Sequence, residues 1–273
     1  MTGTSGHVQV EGGRLYYERA GKGPTLVLIH AGLWDSRIWD DQFEAFAKPY
    51  DVIRYDLRGY GRSDRPTAPY SDVDDLLSLL VFVYVERASL VGMSVGGAIA
   101  IDFTLANPEM VANLVPAVSG LSGYEWADPG VAMLDEEVAR AVEAGEPERA
   151  MEISLEVWAP LQTSPEVDER IRRIAMDNAH TFLIPDDLVR AAPPAVDRLG
   201  QIEAPTLVIE AERDVGEIHA IAKLLAERIP GAQKRVIAGA DHVVNVRAPK
   251  KFNRLVLDFL GLADLGSGDG PRA

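Results

Sequence analysis

Short apolar runs rich in β-branched residues recur along this chain, and longer amphipathic stretches separate them. "TLVLIH" (25–30), "DVIRYD" (51–56), "ASLVGM" (88–93), "NLVPAV" (113–118), "TLVIEA" (206–211) and "KRVIAG" (234–239) are the runs. Consecutive parallel strands need a crossover long enough to hold a helix, so this alternation predicts βα units around a mostly parallel sheet. Near the start, "HVQVEG" and "LYYERA" alternate apolar and polar side chains around a "GG" pair, which predicts an antiparallel hairpin at a sheet edge. Helices are predicted over 36–47, 71–83, 95–106, 216–229 and 248–260, and in the last two apolar residues recur at three and four spacing.

Almost ninety residues separate the runs at 113–118 and 206–211, and they hold helical stretches such as "VAMLDEEVARAVEAG" and "EVDERIRRIAMDNA" but no strand pattern. A compact domain does not carry a plain loop of that length, so the block reads as a helical insertion. The resulting division is a core at 1–120 and 196–262, an insertion at 121–195 and a Gly-rich flexible tail at 263–273. A chain of 273 residues supports one such folding unit.

A net charge of −15 repels phosphate over most of the surface, which argues against nucleic acid and anionic membrane as partners. With no cysteine, disulfides, thiolate nucleophiles and thiolate metal sites are excluded. The start "MTGTSGHVQV" has neither the basic nor the apolar region of a signal peptide, so a cytoplasmic location is expected. "LLSLLVFVYV" (76–85) is about half the length that a bilayer demands and reads as a buried element. Phe82 and Tyr84 are accordingly read as core residues, with an exposed patch joining two copies into a homodimer as the alternative. Trp39 is assigned to the core.

"LVGMSVGGAIA" (90–100) contains G-x-S-x-G as Gly92, Met93, Ser94, Val95 and Gly96, between a predicted strand and a predicted helix. A serine on such a turn projects from the strand end at a helix N-terminus, where free N–H groups favour a developing oxyanion. Its hydroxyl needs an imidazole to take its proton, and the imidazole needs a carboxylate. His242, in "AGADHVVN" after the last predicted strand, is the candidate base, whereas His219 falls within a helical run. Asp214 ends the strand "TLVIEA" region, where sites of parallel sheets gather, and is preferred over Glu210, Glu212 and Asp241. The oxyanion donors are assigned to Val95 and Gly32, the latter in the loop "HAGLWDSRIWD", where His30 reads as a structural residue. "YDLRGYGRSD" (55–64) reads as a structural loop in which Arg58 and Asp64 pair.

The "HAG" loop, "YDLRGYGRSD", the elbow "GMSVGG", the acid in "ERD" and the histidine in "ADH" together resemble the α/β-hydrolase family, over roughly 7–120 and 200–261. "HAG" departs from the commoner His-Gly-Gly or His-Gly-aromatic. The resemblance implies an eight-stranded, mostly parallel sheet flanked by helices, with a helical cap inserted after the sixth strand. It implies a Ser94-His242-Asp214 triad that hydrolyses carboxylic esters or lactones, acyl-homoserine lactones and enol-lactones among them, with no metal or organic cofactor. A small-molecule ester or lactone is then the expected partner. Leu33, Trp34, Met93, Leu121, Tyr124, Trp126, Trp158, Phe182 and Val243 are the expected pocket wall, an apolar lining suited to small or medium substrates. Members with serine at the elbow also include perhydrolases and C–C bond hydrolases, and the fold serves slow-turnover receptors; these are the alternatives.

Overall fold

The computed structural model describes residues 3–261. Its strands are β1 (Thr4–Val10), β2 (Gly13–Gly21), β3 (Thr25–Ile29), β4 (Asp51–Tyr55), β5 (Ala88–Met93), β6 (Val111–Ala117), β7 (Leu207–Ala211) and β8 (Gln233–Ile237). They form one eight-stranded sheet in the order β1-β2-β4-β3-β5-β6-β7-β8. β2 pairs antiparallel with both β1 and β4, and the remaining pairings are parallel. β4 and β5 are buried along their whole length, as strands covered on both faces must be, and the charged groups they carry, Asp51 and Arg54 on β4, are paired with Arg19 and with Glu18 and Asp40.

The helices are α1 (Asp40–Phe46), α2 (Asp72–Phe82), α3 (Val95–Ala106), α4 (Pro129–Glu143), α5 (Pro147–Trp158), α6 (Pro165–Asp177), α7 (Gly216–Arg228), α8 (Val244–Arg247) and α9 (Pro249–Phe259). Local chemistry sets their starts. Ser71, Asp128 and Ser164 accept backbone N–H groups from the first turns of α2, α4 and α6. Proline opens α4, α5, α6 and α9, where a missing N–H costs nothing.

Helices α4, α5 and α6 lie between β6 and β7, in the strandless block. Leu134, Ala141, Ala150 and Ile153 give α4 and α5 a small core of their own. Where this block leaves the sheet the pairing is thin: Ala117 faces Ile209, and an isolated bridge joins Leu114 to Thr206.

Two expectations need correction. Tyr84 is 93% exposed and Phe82 49% exposed, so neither is a core residue, although the Phe82 ring meets Tyr17 edge-on at 6.1 Å. The helix face that carries them turns outward, and Leu76, Leu79 and Leu80 occupy the buried face of α2. Arg58 pairs with Asp75 at 2.6 Å, a fully buried contact, while Asp64, in the loop after β4, binds Arg14 of β2 at 3.0 Å. Residues 263–273, read as a flexible tail, lie outside the described residues. Trp39 is fully buried against Phe252.

Candidate active site

Ser94 stands between β5 and α3 with φ +52° and ψ −116°, a conformation that L-residues rarely adopt. The turn is tight enough that a Cβ on Gly92 would sit 2.1 Å from the Gly96 carbonyl oxygen, and one on Gly96 would sit 2.4 Å from that of Ile29. Only glycine fits at either place. The strain is locked by backbone bonds: Ser94 N–H donates to Ala117 O at 3.1 Å, and Gly120 N–H returns to Ser94 O at 3.0 Å. Leu33 (φ +68°) and Val118 (φ +41°), just past the ends of β3 and β6, also occupy the left-handed region. Backbone strain thus gathers at the carboxyl ends of three neighbouring strands.

His242 and Asp214 meet across the loops after β8 and β7. His242 Nδ1 lies 2.8 Å from Asp214 Oδ2, and both side chains are almost fully buried. Val215 N–H holds the other carboxylate oxygen at 2.9 Å. The rival acids are engaged elsewhere: Glu210 binds His219 and Lys234, Glu212 accepts Gly239 N–H, and Asp241 binds Arg247. His30 accepts Leu57 N–H at Nε2 and donates from Nδ1 to Ala31 O. Burial depresses its pKa, so it stays neutral and shapes the loop.

Ser94 and His242 line one cavity of about 390 Å³ together with Gly32, Leu33, Trp34, Val95, Leu121, Trp126 and Trp158. Gly32 and Val95 are neighbours there, since a Cβ on Gly32 would touch Val95 Cγ2 at 3.4 Å. Val95 is the first residue of α3, so its N–H has no partner within the helix. An aromatic chain closes one side. Tyr124 meets Trp126 at 6.0 Å, Trp126 meets Trp158 at 6.4 Å, and Trp158 lies over the His242 ring at 4.7 Å.

Four expected wall residues are not on this cavity. Met93 and Val243 are fully buried in the core behind it. Tyr124 stands one ring away, its hydroxyl donating to Glu217 at 2.6 Å. Phe182 lines a separate cleft of about 790 Å³ on the other side of Leu33, which holds none of Ser94, His242 and Asp214. Ala98, Gly120, Ser122 and Ile218 line the cavity of Ser94 and His242 instead. Ala98 follows Ser94 by one helical turn, a spacing that could have marked it. Glu217 had no signal in the sequence: it accepts Ala127 and Asp128 N–H at 2.7 Å and so pins the segment carrying Trp126. The Tyr124 hydroxyl and the Ala127 N–H hold its carboxyl below the usual range.

Residues 26–255 match the model of the alpha/beta hydrolase family. The chain belongs to that family. A protein of Azorhizobium caulinodans that carries the name carbamate hydrolase RutD is 31% identical to this hydrolase, covering 92% of it and 96% of its relative. A hydrolase structure from Pseudomonas aeruginosa PA01 is 30% identical with a TM-score of 0.79, covering 94% of this chain and 98% of that one. A structure described as an N-acyl homoserine lactone degrading enzyme is 31% identical with a TM-score of 0.78, covering 93% of this chain and all of that one. No helix among the described residues is long and apolar enough to cross a membrane.

Proposed function

We propose that this hydrolase cleaves carboxylic esters or lactones of small to medium, uncharged, largely apolar substrates through Ser94, His242 and Asp214. The observation that carries the reading is the buried 2.8 Å contact between His242 Nδ1 and Asp214, with His242 and Ser94 on the wall of one cavity. Asp214 fixes the imidazole so that Nε2 is the proton acceptor and stabilises the imidazolium that forms. Ser94 Oγ gives its proton to His242 and attacks the carbonyl carbon; the oxyanion is received by the N–H groups of Gly32 and Val95. His242 then protonates the leaving alkoxide. Water, deprotonated by the same imidazole, releases the acid from the acyl-enzyme.

The polar side chains lining the cavity are Ser94, Ser122 and His242 beside the indoles of Trp34, Trp126 and Trp158, which favours a neutral substrate over a dicarboxylate. At roughly 30 Å³ per water-sized group, 390 Å³ holds a substrate of about a dozen such groups. A carbamate is a second candidate, because the same attack and oxyanion serve it and the relative from A. caulinodans bears that name.

The test is turnover of p-nitrophenyl esters of increasing acyl length, of acyl-homoserine lactones and of a carbamate, by wild type and Ser94→Ala. Folded Ser94→Ala should lose about three or more orders of magnitude. Equal activity of the two folded proteins would remove Ser94 as nucleophile.

A further inference from the structure

Asp241, next to His242 in the chain, is fully buried and plays no part in the proposed proton relay. Its carboxylate takes Val243 N–H at 3.2 Å on its own loop and Leu161 N–H at 3.1 Å from the inserted block. Both of its oxygens also face Arg247 Nε at 3.3 Å. The Arg247 side chain is itself 2% exposed, and its other nitrogens reach back into the same block. They bind Leu161 O, Thr163 Oγ1 at 3.0 Å, and Asp168 in the first turn of α6. One buried arginine and one buried aspartate therefore bind both the N–H and the C=O of Leu161. Three residues upstream, at the end of α5, Trp158 covers the His242 ring.

We propose that Arg247 and Asp241 are positioning residues: a buried clamp that fastens residues 158–168 to the histidine loop and so holds Trp158 over His242. The buried Arg247–Asp241 pair sits on the histidine side, and from it the Leu161 N–H and C=O bonds and the Arg247–Asp168 ion pair, with Asp168 28% exposed, cross to the insertion. Breaking it leaves one buried charge without its partner, which loosens the contact rather than merely trimming it. Trp158 then leaves the cavity wall, and His242 is presented correctly in fewer molecules. Small displacements of this kind are costly, on the order of 100-fold per ångström.

The activity readout rests on the ester-hydrolase reading, so a second readout is independent of it. Arg247→Met, Arg247→Lys and Asp241→Asn are prepared in the wild type and in Ser94→Ala. Folding is checked by circular dichroism, and tryptophan emission is recorded beside the matching Trp158→Phe proteins to isolate Trp158. Arg247→Met and Asp241→Asn should shift the Trp158 emission to the red in both backgrounds. In the wild-type background they should lower kcat for p-nitrophenyl butyrate by about 10- to 100-fold, with Arg247→Lys restoring part of both signals. Any folded clamp variant that keeps Trp158 emission and kcat unchanged overturns the proposal, even if its melting temperature falls. If wild type and Ser94→Ala are equally active, the function proposed above fails, and the clamp is still judged on emission alone.

Discussion

Replacing Tyr84 by glycine should stabilise the protein even though it deletes an aromatic side chain. Tyr84 follows α2 with φ +56° and is 93% exposed. Val85 N–H reaches back to Leu80 O at 2.9 Å and Tyr84 N–H to Val81 O at 3.2 Å, the paired bonds that end a helix through a left-handed residue. A side chain in that conformation costs roughly 1–2 kcal/mol. At 93% exposure the ring has almost no burial to lose. Against the gain stands the extra freedom glycine gives the unfolded chain, about 0.5–1 kcal/mol. The net is about 0.5–1 kcal/mol, or about 1–4 °C in Tm for a chain of this size. Thermal melts of wild type, Tyr84→Gly and Tyr84→Ala, followed by circular dichroism, measure it. Alanine removes the same ring but keeps the Cβ, so its Tm should stay near that of wild type. An equal rise in both variants would trace the effect to the ring, and no rise in Tyr84→Gly would refute the strain argument.

Further outcomes are expected elsewhere. Burial, and after it the charge of Asp75, pushes the Asp72 carboxyl up to about 7. The folded protein thus keeps a proton that the unfolded chain releases near pH 4, and stability should fall as pH rises from about 4 to 7 and then level off. Asp72 stays partly in contact with water, so Asp72→Asn should gain about 1–2 kcal/mol at pH 8 and nothing near pH 4 in urea titrations; an equal gain at both pH values would count against the assignment. Asp214→Asn should keep the fold and lower kcat for p-nitrophenyl esters by about 10³- to 10⁴-fold, since the amide favours the wrong imidazole tautomer; a loss under tenfold would remove Asp214 from the relay. Gly96→Ala drives a methyl against the Ile29 carbonyl, so the elbow should distort, lowering Tm by several degrees and nearly abolishing ester turnover; a fully active, equally stable variant would contradict the packing described.

The sheet and the candidate site residues were legible because each leaves a local mark. β-branched runs announce strands, and G-x-S-x-G announces the elbow because the backbone there tolerates no Cβ. Asp214 and His242 could be placed because they follow strands whose ends must converge. The cavity wall was less legible. Whether Met93 or Ala98 faces the substrate depends on how the chain rotates past the serine, and aromatic content alone pointed to Tyr124 and Phe182, whose rings stand outside. Glu217, Asp241 and Arg247 work through partners more than 75 residues away in sequence, and nothing nearby in the chain signals such contacts. Tyr84 was misplaced because an apolar run shows that a helix is buried without showing which of its sides is.

The thin seam between β6 and β7 divides the groups proposed to react. Ser94 belongs to the larger leaf of the sheet, whereas Asp214 and His242 hang from the smaller leaf of β7 and β8. The backbone bonds that close the seam where the inserted helices depart include Leu114 N–H to Pro205 O and Val118 N–H to Ile209 O. Slight parting of the leaves would separate Ser94 from its proposed proton acceptor while both leaves kept their secondary structure. Catalysis in this hydrolase should therefore fail in urea before the ellipticity at 222 nm changes, and the gap between the two curves measures how loosely the halves are joined.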